Sequence, residues 1–385
     1  MISSLLKRIF VNRFSWKARV LVLSFLSPGI VFAAEAAEPP LDTQLNERIL
    51  SVPSDPARPV LLQVTLFKPD GPGPFPLAVL NHGKEAIDSH LETRYRSVYL
   101  ARYFVSRGYE VVLPMLRGFA GSGGTSIVQG CDAEPEGVNQ ARDIAAVIGY
   151  MKKQPEVDPN RIVVSGQSYG GWVTLALGSL NVPGVKGLLN FAGGRQAPSC
   201  SLWQSDLAVG AYNYAQHTTV PSLWFYGDND SKFSVETWRD MFKYYQQGGG
   251  KAQIVAYGPF LRDSHNFLGA VEAFPIWMPK VDAFLSSLGL PAKELRSDLL
   301  PQKYPAPTHF AAIDDVSAVP LINDQGRKSY AAFLGRTMPR IFAIAPDGTA
   351  VVTYGGYDPL DRALNLCKKI GRTCRVYAFD DQVVW

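Results

Sequence analysis

The chain has 385 residues, 46% of them hydrophobic and 19% charged, a globular composition that excludes a disordered chain and allows more than one domain. Its formal charge of +4 is uneven: residues 1–33 carry five of the 38 basic residues and none of the 34 acids, leaving 33 bases against 34 acids beyond them. A mature chain so close to neutrality gives no electrostatic reason for a nucleic-acid or anionic-membrane partner.

In chain order, Lys7, Arg8, Arg13, Lys17 and Arg19 precede a thirteen-residue apolar run at 20–32, broken by Pro28-Gly29 and followed by small residues. That order predicts a secretory signal peptide over 1–33, with cleavage after Ala33 or Ala36. The run is shorter than the ~20 residues a membrane span needs, so no stable span is expected after cleavage, and a periplasmic or secreted location is. Residues 34–58, rich in Ala, Glu and Pro, read as a largely irregular lead-in.

From 59 to 289 strands and helices alternate. Strands are predicted at 60–67, 77–80, 109–113, 162–164, 185–192, 221–226 and 253–257, with helical periodicity at 94–107, 138–148, 173–180 and 277–288. The expected class is α/β, a mostly parallel sheet with helices on both faces, whose sites form at the carboxyl ends of strands. Residues 193–220, with Trp203, Tyr212 and Tyr214, fit either a cap over such a site or core. A Pro-rich linker over 290–307 leads to 308–385, which reads as a small α+β domain. It has strands at 340–344 and 350–354 joined by Pro346-Asp347-Gly348, a short helix around Asp361–Leu366 and a strand at 375–379.

The stretch that organises this order is Gly166-Gln167-Ser168-Tyr169-Gly170, which fits the strand–turn–helix pattern of a nucleophile elbow. A serine hydroxyl needs a base to take its proton and an acid to orient that base. Of five histidines, His265 follows the last predicted strand of the sheet and has the address of the base; His82 fits a role in orienting the loop at Gly83-Lys84. Asp230, after Gly227, is the expected acid; Asp228, otherwise an Asx-turn or helix cap, is the second candidate and Asp263 the remaining one. The backbone N–H groups of Tyr169 and of Gly83 or Lys84 are the expected oxyanion donors.

Taken in order, Asn81-His82-Gly83, Arg117-Gly118 with Gly121-Ser122-Gly123, the elbow with Gly171, Gly227-Asp-Asn-Asp230 and Ser264-His265-Asn266 make residues 59–289 resemble the α/β-hydrolases. The resemblance is closest to the dienelactone hydrolase family and to neighbours among the prolyl-oligopeptidase-type peptidases. Name-giving dienelactone hydrolases use a cysteine nucleophile, where this chain has Ser168. The resemblance implies an exported serine hydrolase that cleaves an ester or related acyl bond without cofactor or metal. A short-peptide peptidase is the alternative within enzymes, and a non-catalytic envelope-binding scaffold the alternative outside them. The tail loosely resembles small Cys-paired domains of bacterial exported proteins, its own partner being unknown.

Cys131, Cys200, Cys367 and Cys374 form an even set, which in an exported chain favours disulfides. Of three connectivities the expected one pairs Cys367 with Cys374, leaving Cys131 and Cys200 as a second bond or as two buried thiols.

Overall fold

The protein is described by a computed structural model covering residues 40–85, 88–126, 130–301, 304–354 and 359–385. The signal peptide expected over 1–33 lies outside the described residues. In chain order the elements of the larger sheet region are β1 (Arg48–Pro53), β2 (Leu61–Phe67), β3 (Phe75–Asn81), α1 (Val98–Val105), β4 (Glu110–Pro114), α2 (Ala133–Met151) and β5 (Val157–Gln167). There follow α3 (Tyr169–Ser179), β6 (Val185–Phe191), α4 (Trp203–His217), β7 (Ser222–Tyr226), α5 (Val235–Gln247), β8 (Ala252–Ala256) and α6 (Phe274–Ser287).

The eight strands pair in the order β1-β2-β4-β3-β5-β6-β7-β8. β2 is antiparallel to both β1 and β4, and every later pairing is parallel. Side chains alternate across a strand, so the unbroken apolar runs of the central strands supply both faces. Val164, Leu188 and Trp224 join one buried cluster together with α2, α3, α4 and α5, while Val163, Leu189 and Phe225 join the other with α1 and α6. Both clusters are therefore written in the same short strands.

Two sequence expectations are corrected here. Residues 48–53, read as part of an irregular lead-in, form the edge strand β1; only Val52 is buried, so the alternation that marks a strand is missing although the ladder to β2 is complete. Residues 290–300, the first part of the stretch read as a linker, are docked on the larger sheet region. Leu295 and Arg296 donate backbone N–H groups to the Ser106 carbonyl, and Leu299 is buried in the α1–α6 cluster. Residues 203–217 are core helix rather than cap, with the Tyr214 ring 4.9 Å from that of Trp172.

The C-terminal region adds α7 (Asp324–Leu334), β9 (Arg340–Ile344), β10 (Ala350–Tyr354), α8 (Pro359–Lys369), β11 (Arg375–Phe379) and β12 (Gln382–Val383). Its four strands form a separate antiparallel sheet in the order β10-β9-β11-β12. Tyr330 and Phe333 of α7 and Phe342 and Tyr377 of the sheet build its core. Among the described residues, no helix is long and apolar enough to cross a membrane.

Both disulfides expected from the cysteine set are present, Cys131–Cys200 and Cys367–Cys374, with sequence separations of 69 and 7. Loop-closure entropy grows with the enclosed length, so the two should differ in worth. Replacing Cys131 and Cys200 by alanine should lower the unfolding free energy by roughly 4 kcal/mol, and replacing Cys367 and Cys374 by roughly 2.5 kcal/mol. Urea denaturation of both double variants beside the parent checks the ranking.

Candidate active site

β5 ends at Gln167 and α3 begins at Tyr169, so Ser168 makes the whole turn between them, at φ 56° and ψ −123°. That backbone is strained for a residue with a side chain, and the close packing around it accounts for its persistence. A Cβ on Gly166 would stand 2.1 Å from the Gly170 carbonyl oxygen, and one on Gly170 2.2 Å from that of Asn81. The start of α3 thus rests backbone to backbone on the end of β3.

Across the strand ends, His265 Nε2 lies 3.0 Å from Ser168 Oγ, and His265 Nδ1 lies 3.0 Å from each Asp230 carboxylate oxygen. A carboxylate only accepts, so Nδ1 carries the proton and Nε2 keeps the lone pair that faces the serine hydroxyl. The Asp230 side chain is fully buried, and its Oδ1 also accepts from the backbone N–H groups of Lys232 at 2.7 Å and Phe233 at 3.0 Å. Three donors therefore hold one carboxylate in place.

The alternatives weighed from sequence fall elsewhere. Asp228 is exposed and neither forms the turn nor caps α5; Asp230 makes the turn through Lys232, and Ser234 caps the helix through the Thr237 N–H. Asp263 faces backbone rather than imidazole: its Oδ1 accepts from the His265 N–H at 2.9 Å and the Ser231 N–H at 3.0 Å, and its Oδ2 from the Ser231 hydroxyl at 2.6 Å. It fastens the histidine loop to the aspartate loop. Gln167 adds a bond from Nε2 to the His265 carbonyl at 3.0 Å.

Gly83 lies against the elbow, where an added Cβ would meet Ser168 Cβ at 3.3 Å, and Lys84 beside it is exposed on the rim. Tyr169 takes the first position of α3, where a backbone N–H has no carbonyl one turn earlier to bind. These groups flank the space above Ser168. His82 stands behind them, buried, with its ring 4.9 Å from that of Phe119. Its Nε2 accepts from the Leu116 N–H at 2.9 Å, which leaves Nδ1–H to donate to the Gly83 carbonyl at 2.6 Å.

Burial lowers the His82 pKa to about 4, against the smaller opposing pull of its bond to Gly83. Below the usual value near 6.5 the unfolded chain takes up a proton that the folded chain refuses. Stability is therefore unaffected by His82 above pH ~6.5 and falls by up to about 3 kcal/mol as pH drops towards 4. Urea unfolding at pH 7.5 and 4.5 should show the parent losing about 2 to 3 kcal/mol more than His82→Gln.

The space above Ser168 is a cleft of about 880 Å³. One cluster in its wall was not found from sequence. Arg195 pairs with Glu136 at 2.9 Å, both side chains nearly buried, and Glu136 accepts from the Tyr169 hydroxyl at 2.9 Å. Arg195 also donates to the Gly130 and Cys131 carbonyls, so the Cys131–Cys200 bond, which lines the cleft, is tied to the residue after Ser168. Burial, followed by the Glu136 charge, holds the Tyr169 phenol well above its ordinary pKa, so it remains a neutral donor. No spacing rule links residues 131, 136, 169, 195 and 200; they meet where α2 packs on α3 and the loop after β6 closes against both.

The family model of X-Pro dipeptidyl-peptidase (S15 family) matches residues 57–203. No curated protein matches the chain. Similar solved structures include a Klebsiella pneumoniae protein described as a dienelactone hydrolase, at 17% identity and TM-score 0.44, over 62% of this chain and 99% of that one. A Pyrococcus furiosus esterase is 16% identical, with TM-score 0.44, over 65% of this chain and 97% of its own. A Porphyromonas gingivalis dipeptidyl peptidase 4 is 18% identical, with TM-score 0.48, over 63% of this chain and 35% of its own. With its strand order, its antiparallel pairings confined to β2 and a serine turn between β5 and α3, the chain has the α/β-hydrolase fold.

Proposed function

We propose that the protein is an exported serine hydrolase that cleaves an ester or related acyl bond through an acyl-enzyme on Ser168. The observation that carries this reading is the unbroken chain from Ser168 Oγ to His265 Nε2 and from Nδ1 to Asp230, each link 3.0 Å long, at the floor of an open cleft. A scaffold has no physical need for that chain at three separate strand ends.

Ser168 Oγ bonds to the carbonyl carbon while its proton passes to His265 Nε2. The bond to the leaving group then breaks, and the same proton leaves with the departing oxygen. Water adds to the acyl-enzyme, giving its proton to His265; the Ser168–acyl bond breaks, the acid departs and Ser168 regains a proton. Asp230 fixes the imidazole tautomer throughout. The Tyr169 and Gly83 or Lys84 N–H groups meet the oxyanion, each such donor being worth about 3 kcal/mol of barrier.

A second reading, cleavage of short peptides, is favoured by the S15 match over 57–203. The triad serves both, since an amine leaving group takes its proton from the same His265. The two disulfides fit an oxidising compartment and support export.

Labelling with a fluorophosphonate probe, beside Ser168→Ala, tests the reading, followed by p-nitrophenyl esters against aminoacyl-prolyl anilides. Labelling lost in the variant with ester turnover supports the leading reading, and anilide turnover alone moves it to a peptidase. No labelling of the parent rejects an activated serine.

A further inference from the structure

A second hollow, of about 1060 Å³, lies between the larger unit and the C-terminal sheet region. It shares Tyr95, Gln167 and Asn266 with the cleft above Ser168, so these three residues border both spaces. One wall comes from residues 95–99 and 261–272, the other from residues 334–340 and 379–382 of the C-terminal region. Leu268, Leu334, Met338 and Phe379 make much of this lining apolar.

The arginines along it are answered within the protein, while the Glu272 and Asp380 carboxyl groups there face each other. Arg262 and Arg340 both pair with Asp381, at 2.6 and 2.9 Å, and Arg336 lies over the Tyr354 ring at 4.7 Å. Arg340 also donates to the Phe333 and Arg336 carbonyls. Such a hollow favours a neutral, apolar chain over an ion.

Its direction is fixed by the chemistry. His265 Nε2 must hand its proton to the leaving group, so the leaving group departs on the His265 side of Ser168. Asn266, the neighbour of His265, is one of the three residues that line both the cleft and the hollow. We infer that the hollow is a leaving-group subsite, walled on one side by the C-terminal region, that takes the long uncharged chain of an ester's alcohol. The inference rests on the serine-hydrolase reading above and gives its site a substrate class.

Buried methylene groups set the scale: six half-buried ones correspond to roughly 50-fold in binding. Octyl acetate should exceed ethyl acetate in kcat/KM by about that factor. Thr337→Trp, and separately Gln382→Trp, put an indole into the hollow from exposed positions on two different segments. Each should cut the ratio to below about fivefold, chiefly through KM, and should lower octyl acetate relative to ethyl octanoate, whose long chain is on the acyl side.

An octyl-to-ethyl ratio near one in the parent overturns the inference, as does equal loss on octyl acetate and ethyl octanoate. Binding separates this failure from failure of the hydrolase reading. Calorimetric titration of octyl acetate into Ser168→Ala, with and without Thr337→Trp, needs no turnover; tenfold weaker binding with the indole supports the subsite, and affinities within twofold reject it. A parent that sediments as a dimer dissociated by Thr337→Trp makes the hollow a contact between copies and also rejects it.

Discussion

Asp230→Asn should lower kcat by about 10⁴-fold while leaving the fold intact, because it reverses the tautomer of His265. The direction follows from the donors around the carboxylate. Oδ1 accepts from the Lys232 and Phe233 N–H groups, so an asparagine would place its carbonyl there and turn its NH₂ towards His265 Nδ1. An NH₂ can only donate, so Nδ1 would become the acceptor and Nε2 would carry the proton. An Nε2–H has no lone pair to receive the proton of Ser168. Steady-state kinetics beside Asp228→Asn checks this. Asp228 is exposed, so its variant should stay within about twofold of the parent; the reverse ranking would move the acid.

Ser168→Ala should have the larger effect, a loss of roughly 10⁶-fold in kcat, since the remaining members of a triad do little without the nucleophile. Stability should change by less than about 1 kcal/mol. The partner of Ser168 Oγ in the protein is His265 Nε2, and alanine keeps the Cβ that the elbow already accommodates. Activity and thermal midpoint measured on the same preparation distinguish this from a structural serine, whose loss would move both.

How much of this was legible in the sequence depends on whether the signal was local. Ile162, Val163 and Val164 running into Gly166 announced a buried strand and a tight turn within eleven residues, because sterics at Gly166 and Gly170 admit no side chain. The parallel order of the sheet followed from the alternation of such runs with helices. β1 was missed because pairing to β2, not burial, makes it a strand. α7 was missed because its buried positions, Gly326, Tyr330 and Phe333, are sparse in a polar segment.

The site divides the same way. Ser168, His265 and Asp230 each stand at a strand end that sequence could locate, and the structure brings those three ends together. The role of Asp263 depends on two loops crossing, the Arg195–Glu136–Tyr169 cluster on helix packing, and the second hollow on segments more than two hundred residues apart. None of these is written in a spacing.

The seating of Gly170 on the Asn81 carbonyl bears on how the enzyme could be re-engineered. Because backbone meets backbone there, the Ser168 turn and the Gly83 loop move as one piece, and saturation mutagenesis at 166 or 170 should yield only losses. The freedom to diversify lies around that piece, at Lys84, Lys232 and the C-terminal wall, where side chains border the substrate space without carrying the junction. A library confined to those borders would explore new substrates while inheriting the catalytic geometry unchanged.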